Sequence, residues 1–454
     1  MASKKILTHP KVRKLQRTLY QQAKSKPNWK AWSLYGDLCR TEVIEEAMFR
    51  ILENKGSAGI DGYTLEQMEQ EWSAFRDTLQ QELKSKTYKP QALLRQVIPK
   101  QNGGSRDLSI PTVRDRVVQC AIKILIEPIF EADFHKESYG YRPQKKAHDA
   151  INSIWHALYQ GKTTVIEADL SRYFDTIEHK RLMKLLCRRV SDGSLLHLIK
   201  LLLRVSTIEK TRKKVKKVPR NNKSPQPRLP KTVMKYHSKQ KVGVPQGGVF
   251  SPLMGNLYMD ALDKAVNSLD PYRVKMVRFA DDFVIAVNSG LEEELLKRTN
   301  SWLGKVGLHL NLEKTQCTDI RKGGKVEFLG FELSQRISPK TGNRYIHRQP
   351  SKKAEMNYRD KVRTILNHYT TWKDSNTVIE EVNRVTRGWG NYFHYGMSYS
   401  SFSRQNYFVL QKVRRWLRAK HKGRLGKKGL YSEYPDSYLK GDLGLYTLPL
   451  SQNL

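Results

Sequence analysis

Val277-Arg-Phe-Ala-Asp-Asp-Phe-Val-Ile-Ala-Val287 reads as two apolar strands meeting at an acidic turn. Val277 and Phe279 on one side, and Phe283, Ile285 and Val287 on the other, alternate as strand residues do. Asp281 and Asp282 therefore belong at the tip of a hairpin. Two adjacent ionised carboxylates between hydrophobic strands are costly unless a positive group binds them. The β-rich run Thr163-Thr-Val-Ile-Glu-Ala-Asp169 also ends in an acid, so a shared sheet would bring Asp169 and Asp281 together. Oxygen ligands from a few carboxylates, with substrate phosphates completing the shell, form the ligand set for two Mg²⁺ ions. Taken alone, the Asp pair reads more simply as an ordinary acidic turn.

Its neighbours change that balance. Gly243-Val-Pro-Gln-Gly-Gly-Val-Phe-Ser-Pro-Leu253 is too rich in Gly and Pro for a helix, yet it leads into a helical run from Leu257 to Ala265. Such a loop lets backbone approach a ligand closely, with the Gln246 amide free to donate and accept. It lies 281 − 246 = 35 residues before the Asp pair, in a 454-residue chain with 82 Lys and Arg against 44 Asp and Glu, a net charge of +38. Self-repulsion of that size implies a polyanionic partner, nucleic acid first and an anionic membrane surface second. No stretch approaches the ~20 uncharged residues of a membrane span; even the apolar Ala121 to Phe130 contains Lys123 and Glu127. The start has no apolar core for a signal peptide. Cys39, Cys120, Cys187 and Cys317 lie far apart without a Cys-x-x-Cys pair, which predicts reduced, mostly packed thiols in a cytosolic protein and no zinc site.

Around this centre, Thr41 to Leu52 is an amphipathic helix with an N-cap Thr, and Asn54 to Gly62 is a loop. Arg95 to Lys100 and Arg106 to Pro111 predict two short strands joined by a Gly turn, with a helix from Val113 to about Phe130. Glu209 to Lys241 holds 13 Lys or Arg, one acid and four prolines, the composition of an exposed, mobile insertion that contacts RNA. The last ~90 residues read as helical, and Leu410 to Leu430 carries nine Lys or Arg and no acid.

The chain strongly resembles the group II intron reverse transcriptases, also called intron-encoded maturases. The motifs that carry the resemblance run in family order: Asn54-Lys-Gly-Ser-Ala-Gly-Ile-Asp-Gly62, Tyr88-Lys-Pro90, Ile98-Pro-Lys100 with Arg106, Ser138-Tyr-Gly-Tyr-Arg-Pro143, and Glu167-Ala-Asp-Leu-Ser-Arg-Tyr-Phe-Asp175. Gly243 to Gly248, Phe279-Ala-Asp-Asp282, Asn311-Leu-Glu-Lys314, Phe328-Leu-Gly330 and Arg387-Gly-Trp-Gly-Asn-Tyr-Phe393 follow. The resemblance implies an α+β right-hand polymerase. Its N-terminal extension and fingers would span 1–160, a palm with a small antiparallel sheet 161–335 (basic insertion 207–241), a helical thumb or maturase domain 336–430, and a short tail 431–454.

It also implies roles. Asp169 and Asp281 would bridge two Mg²⁺ ions (Mn²⁺ as a substitute), with Asp282 adjacent and Leu170 lending a backbone carbonyl. Phe174 would be the steric gate against a ribose 2′-OH. Lys100 and Arg106 would hold the dNTP triphosphate, Gln246 would touch the nucleotide, and Lys314 would protonate the pyrophosphate. Nucleic-acid contacts would come from Lys213, Lys214, Lys216 and Lys217 in the insertion and from Arg414, Arg415 and Arg418 in the thumb. Arg142 divides evenly between a template-phosphate contact and a structural ion pair. Asp175 reads as the cap of the next helix, and Trp389, Tyr392 and Phe393 as thumb core.

The partners implied are an intron RNA bound as a ribonucleoprotein, an RNA template with a DNA or RNA primer, dNTPs and target DNA, with no membrane. The setting is a bacterial cytoplasm, nucleoid-associated during action on DNA, or an organelle. Two rival readings are a maturase acting mainly as a splicing cofactor and a domesticated reverse transcriptase in DNA repair or phage defence. Three departures from the family pattern stand out. Phe279 replaces the usual Tyr; Asp107 places a negative charge beside Arg106, which predicts weaker dNTP binding; and the basic insertion is long. No Cys pairs of an HNH endonuclease follow the maturase region, so target-strand cleavage is not expected.

Overall fold

The computed structural model describes residues 8–99, 105–212, 232–237, 241–311, 313–422 and 429–450, without side chains at 210–212 and 232–237. Its strands are β1 (Leu93–Pro99), β2 (Ser105–Ile110), β3 (Thr164–Ala168), β4 (Thr207–Arg212), β5 (Thr232–His237), β6 (Val274–Phe279), β7 (Asp282–Val287), β8 (Gln316–Asp319), β9 (Lys325–Phe328), β10 (Phe331–Ile337) and β11 (Arg344–Pro350). They form three sheets, ordered β2-β1-β4-β5, β6-β7-β3-β8 and β11-β10-β9.

The β6-β7-β3-β8 sheet is antiparallel throughout. Val165, Ile166, Val277, Val284, Ile285 and Val287 are buried in it, because helices pack on it and leave both sides of its strands enclosed. The Ser251–Leu269 helix lies against it and buries Leu253, Met254, Leu257, Tyr258, Met259, Leu262 and Val266. The Val113–Glu131 helix starts at Thr112, whose hydroxyl accepts from the Asp115 amide at 3.1 Å. That helix is apolar nearly all round and runs through the core beneath the N-terminal helices.

One expectation needs correction. The ends of the basic insertion are not a free loop: β4 pairs in parallel with β1 and antiparallel with β5, so they widen the β1–β2 sheet, and residues 213–231 lie outside the described residues. The β-branched Thr207, Ile208, Thr211, Thr232 and Val233 in these strands outweighed the charge that suggested mobility. Residues 443–448 pack back on the helical bundle. Asn406 receives the Leu448 amide at 2.8 Å and donates to the Leu448 carbonyl at 2.9 Å. Asn383 likewise receives from Tyr446 at 2.7 Å and donates to Gly444 at 2.8 Å. Leu445 and Leu448 are buried by this return.

The helices Lys352–Ile365, Ser375–Phe393 and Tyr399–Lys420 pack around Tyr358, Val362, Val382, Val409, Val413 and Leu417. Trp389, Tyr392 and Phe393 join this bundle to the β11-β10-β9 sheet: Trp389 stacks on Tyr358 at 4.9 Å, and Phe393 meets Phe331 at 4.9 Å. The reading of those three as core is what the packing shows. The cysteines divide evenly, with Cys39 and Cys120 buried and Cys187 and Cys317 exposed, so "mostly packed" holds for two of four.

Candidate active site

The register of the central sheet builds the site. β6 and β7 pair through Phe279↔Asp282, leaving Ala280 and Asp281 as a two-residue turn. β3 pairs with β7 through Ala168↔Phe283, so Asp169 follows β3 at the same edge as Asp281 and Asp282. The next residue, Leu170, bridges to Leu310, and the Asp169 carbonyl accepts from the Asn311 amide at 2.8 Å. This places Asn311 and Lys314 beside the acids: Lys314 Nζ lies 3.3 Å from Asp169 Oδ2. The shared sheet expected for Asp169 and Asp281 is present, and the Leu170–Leu310 bridge adds Lys314 to that edge.

The carboxylates sense one another. The Asp282 carboxyl is pushed up to about 6, by desolvation first and then by Asp281 and Asp169, while Lys353 opposes the rise. Glu167, two residues before Asp169, is pushed up to about 7 by burial, with Glu327 adding to it against a bond from the Glu327 amide. A cleft of about 570 Å³ opens here between Glu167, Asp169, Asp282, Lys314, Glu327 and Lys353. Among the described residues no group of three or more His, Cys, Asp or Glu side chains converges as a metal cage. Hard oxygen donors from two or three carboxylates whose charges disfavour each other fit a divalent cation whose shell the substrate completes.

A second group faces this edge from the β1–β2 hairpin. Arg106 Nε donates to Gln246 Oε1 at 3.0 Å, and Gln246 Nε2 lies 3.4 Å from Asp175 Oδ1. The Gln246 carbonyl accepts from the Ser109 amide at 2.7 Å, which anchors the Pro-Gln-Gly-Gly loop to β2. Gly247, at φ +117°, is required there, since a Cβ would stand 2.6 Å from the Ser109 carbonyl oxygen. Tyr173 is buried and bonds the Gly255 carbonyl at 2.5 Å, which turns its half-buried neighbour Phe174 against the Gly255 turn of the helix. Asp175 therefore faces Gln246, and the following His179–Leu186 helix has no side-chain cap. The cap reading fails because helix entry comes three residues later than Asp175 requires.

Asp107 does not burden Arg106. Adjacent strand residues point to opposite faces, and Asp107 is paired at 2.6 Å with Arg95, which also reaches Glu209 of β4 at 3.4 Å. Asp107 thus belongs to the ion chain that holds the insertion's first strand.

Two nucleic-acid assignments are corrected. Arg142 is buried, with Glu131 at 2.6 Å and the carbonyls of His135 and Ser138 at 2.6 and 2.7 Å; its donors are committed to protein. Arg414 is 2% exposed, donating to the Tyr434 carbonyl at 2.9 Å and pairing with Asp436. Arg415 remains exposed and Arg418 half-buried. Lys100, Lys213, Lys214, Lys216 and Lys217 lie outside the described residues.

Sequence reasoning missed Arg278 and Lys353. The signal for Arg278 was present: a cation inside the otherwise apolar run Met276–Phe279 must carry its own partners. Lys353 gave none, because its nearness to Asp282 arises from the tertiary packing of the Lys352–Ile365 helix.

Comparisons with known proteins agree with this arrangement. Residues 98–333 match the family model described as reverse transcriptase (RNA-dependent DNA polymerase), and residues 356–434 match the group II intron, maturase-specific domain. The chain is 31% identical over 382 residues to protein YkfC of Escherichia coli strain K12, covering 76% of this chain and 93% of that one. It is 26% identical over 490 residues to the group II intron-encoded protein LtrA of Lactococcus lactis, covering 87% and 76% respectively. No helix among the described residues is long and apolar enough to cross a membrane. A polymerase match over the acidic sheet edge, followed in one chain by a maturase match over the helical bundle, makes this protein a member of the group II intron reverse transcriptase/maturase family and a right-hand RNA-directed DNA polymerase.

Proposed function

We propose that the chain copies RNA into cDNA at the Asp169–Asp281–Asp282 edge, using dNTPs and two divalent cations, and binds an intron RNA to assist splicing and mobility. The placement of Asp169 and the Asp281-Asp282 turn at one sheet edge, with Lys314 3.3 Å from Asp169, carries this reading. Fingers over 1–160, palm over 161–335 and thumb over 336–430 would enclose the template–primer duplex, with 431–454 closing the thumb.

Asp169, Asp281 and the Leu170 carbonyl would hold the cations, with Asp282 beside them. When bound, the cations supply the charge that lowers the pKa of the primer 3′-OH and offsets charge on the phosphates. The remaining work falls to the chain. Arg106 exchanges its Gln246 contact for the triphosphate, where its fork matches phosphate oxygens. Gln246 stays against the nucleotide, steadied by Asp175. Phe174 blocks the position of a ribose 2′-OH. Lys314 Nζ donates a proton to the leaving pyrophosphate.

Primer extension on an RNA template, with structured-RNA binding measured alongside, tests the reading. Extension that needs both dNTPs and Mg²⁺ supports it. Tight RNA binding without extension would leave a splicing cofactor and overturn the polymerase assignment of this edge.

A further inference from the structure

Beneath the acidic turn lies a side chain that no substrate can reach. Arg278 and Asp263 are each 1% exposed, and they meet through two bonds, Nε to Oδ1 at 2.8 Å and Nη2 to Oδ2 at 2.6 Å. The other three N–H groups are also used. Nη1 donates to Asn256 Oδ1 at 2.9 Å and to the Ala280 carbonyl at 2.7 Å, and Nη2 donates to Ser138 Oγ at 2.7 Å. Asn256 and Asp263 stand seven residues apart on the Ser251–Leu269 helix, a spacing that puts both on one face.

The Ala280 carbonyl belongs to the same peptide plane as the Asp281 amide, so the Arg278 bond fixes the plane from which Asp281 projects. That plane is strained: Ala280 has φ +62°, in the left-handed region that side chains other than Gly avoid. Gly140 closes it from the other side, since a Cβ there would stand 2.3 Å from the Ala280 amide nitrogen. Asn256 spans the assembly, donating to the Gly140 carbonyl at 2.8 Å. The backbone of β6 is tied to the same segment, Arg278 donating to Glu137 at 3.0 Å and Tyr139 donating to Arg278 at 2.9 Å. This accounts for the Ser138-Tyr-Gly140 motif, to which the sequence alone gave no role.

A buried ion pair is weak evidence for stability, because apolar residues of similar volume often serve as well or better. A guanidinium that donates all five N–H groups into one network, one of them to the strained turn, instead specifies geometry. We propose that Arg278 is a positioning residue of the polymerase centre: acting with Asp263, Asn256 and Gly140, it holds the Ala280–Asp281 peptide so that Asp281 faces Asp169. The inference rests on the proposed role of Asp281.

Two variants test it. Arg278→Lys keeps a cation against Asp263 but loses the fork. The double variant Arg278→Met/Asp263→Leu removes both charges and leaves no buried ion unpaired. Each should melt below the wild type but remain folded at the assay temperature and bind template–primer within about threefold of it, yet lose about 100-fold in kcat with KM for dNTP nearly unchanged, since ångström misplacement of a reacting group costs that much. Mn²⁺ titration followed by electron paramagnetic resonance should show about tenfold weaker cation binding in both, as expected when a carboxylate ligand loses the support that orients it. A folded double variant with kcat within about threefold of the wild type would overturn the proposal, as would a loss that tracks only the folded fraction. Should either variant fail to fold, Asn256→Ala decides in its place: it leaves the ion pair intact, and the proposal requires a kcat loss of about tenfold from a 0.5 to 1 Å relaxation of the turn. Asp281→Ala run beside them separates the two claims. Activity kept there removes the site itself; activity lost there but kept in the Arg278 variants removes only the brace.

Discussion

The palm and the thumb use arginine in opposite ways from what their sequences suggest. In the palm, Arg278 sits in a largely apolar strand and looks incidental, yet all five of its donors are committed to one buried network, one of them to the acidic turn. In the thumb, Arg414 lies in a run of nine cations and looks like a nucleic-acid contact, yet it is buried against Tyr434 and Asp436. A charged residue is therefore read from its partners. Local abundance of charge says that a face is basic but not which members of it face the solvent, because one helix carries cations on both its packed and its open sides.

The contrast can be broken from either side. In the palm, Gly140→Ala should cost about 100-fold in kcat, because the added Cβ must displace the turn that carries Asp281; steady-state kinetics on a short RNA template would check this. Phe174→Ala should raise ribonucleotide incorporation relative to dNTP by about tenfold or more, the scale on which loss of steric exclusion acts, and competition assays read it directly. In the thumb, Arg414→Ala should lower stability by about 2–3 kcal/mol, as for lost hydrogen bonds between a buried cation and its partners, seen as a lower melting temperature. Arg415→Ala should change stability by less than about 0.5 kcal/mol and reduce the slope of log affinity for RNA against log salt by about 1. A thumb in which Arg414→Ala weakens RNA binding without destabilising would erase the distinction.

Much of the centre was legible because its chemistry forces residue types into short spacings. The Asp281-Asp282 turn, the Asp169 strand and the Gly243–Gly248 loop could be located from alternation and composition, whereas the small antiparallel sheet was expected from the family resemblance. Helix boundaries such as Val113–Glu131 followed from apolar periodicity. What was hidden depends on contacts far apart in sequence. Asp107 seemed to oppose Arg106 until β-strand alternation turned it toward Arg95 and Glu209. The strands inside the basic insertion were masked by charge, and the return of residues 443–448 to Asn383 and Asn406 has no local signature. Asp175 was misread because a cap and a partner for Gln246 require the same side chain.

The central claim is that one sheet edge is the reaction centre, and single-turnover dNTP incorporation on an RNA template by the wild type and Asp281→Ala tests it most directly. Loss of several kcal/mol of charge stabilisation predicts a rate reduced at least about 1,000-fold with template–primer affinity preserved. Incorporation within about tenfold of the wild type would contradict the account, since an acid that holds the reacting phosphates cannot be removed at so small a cost.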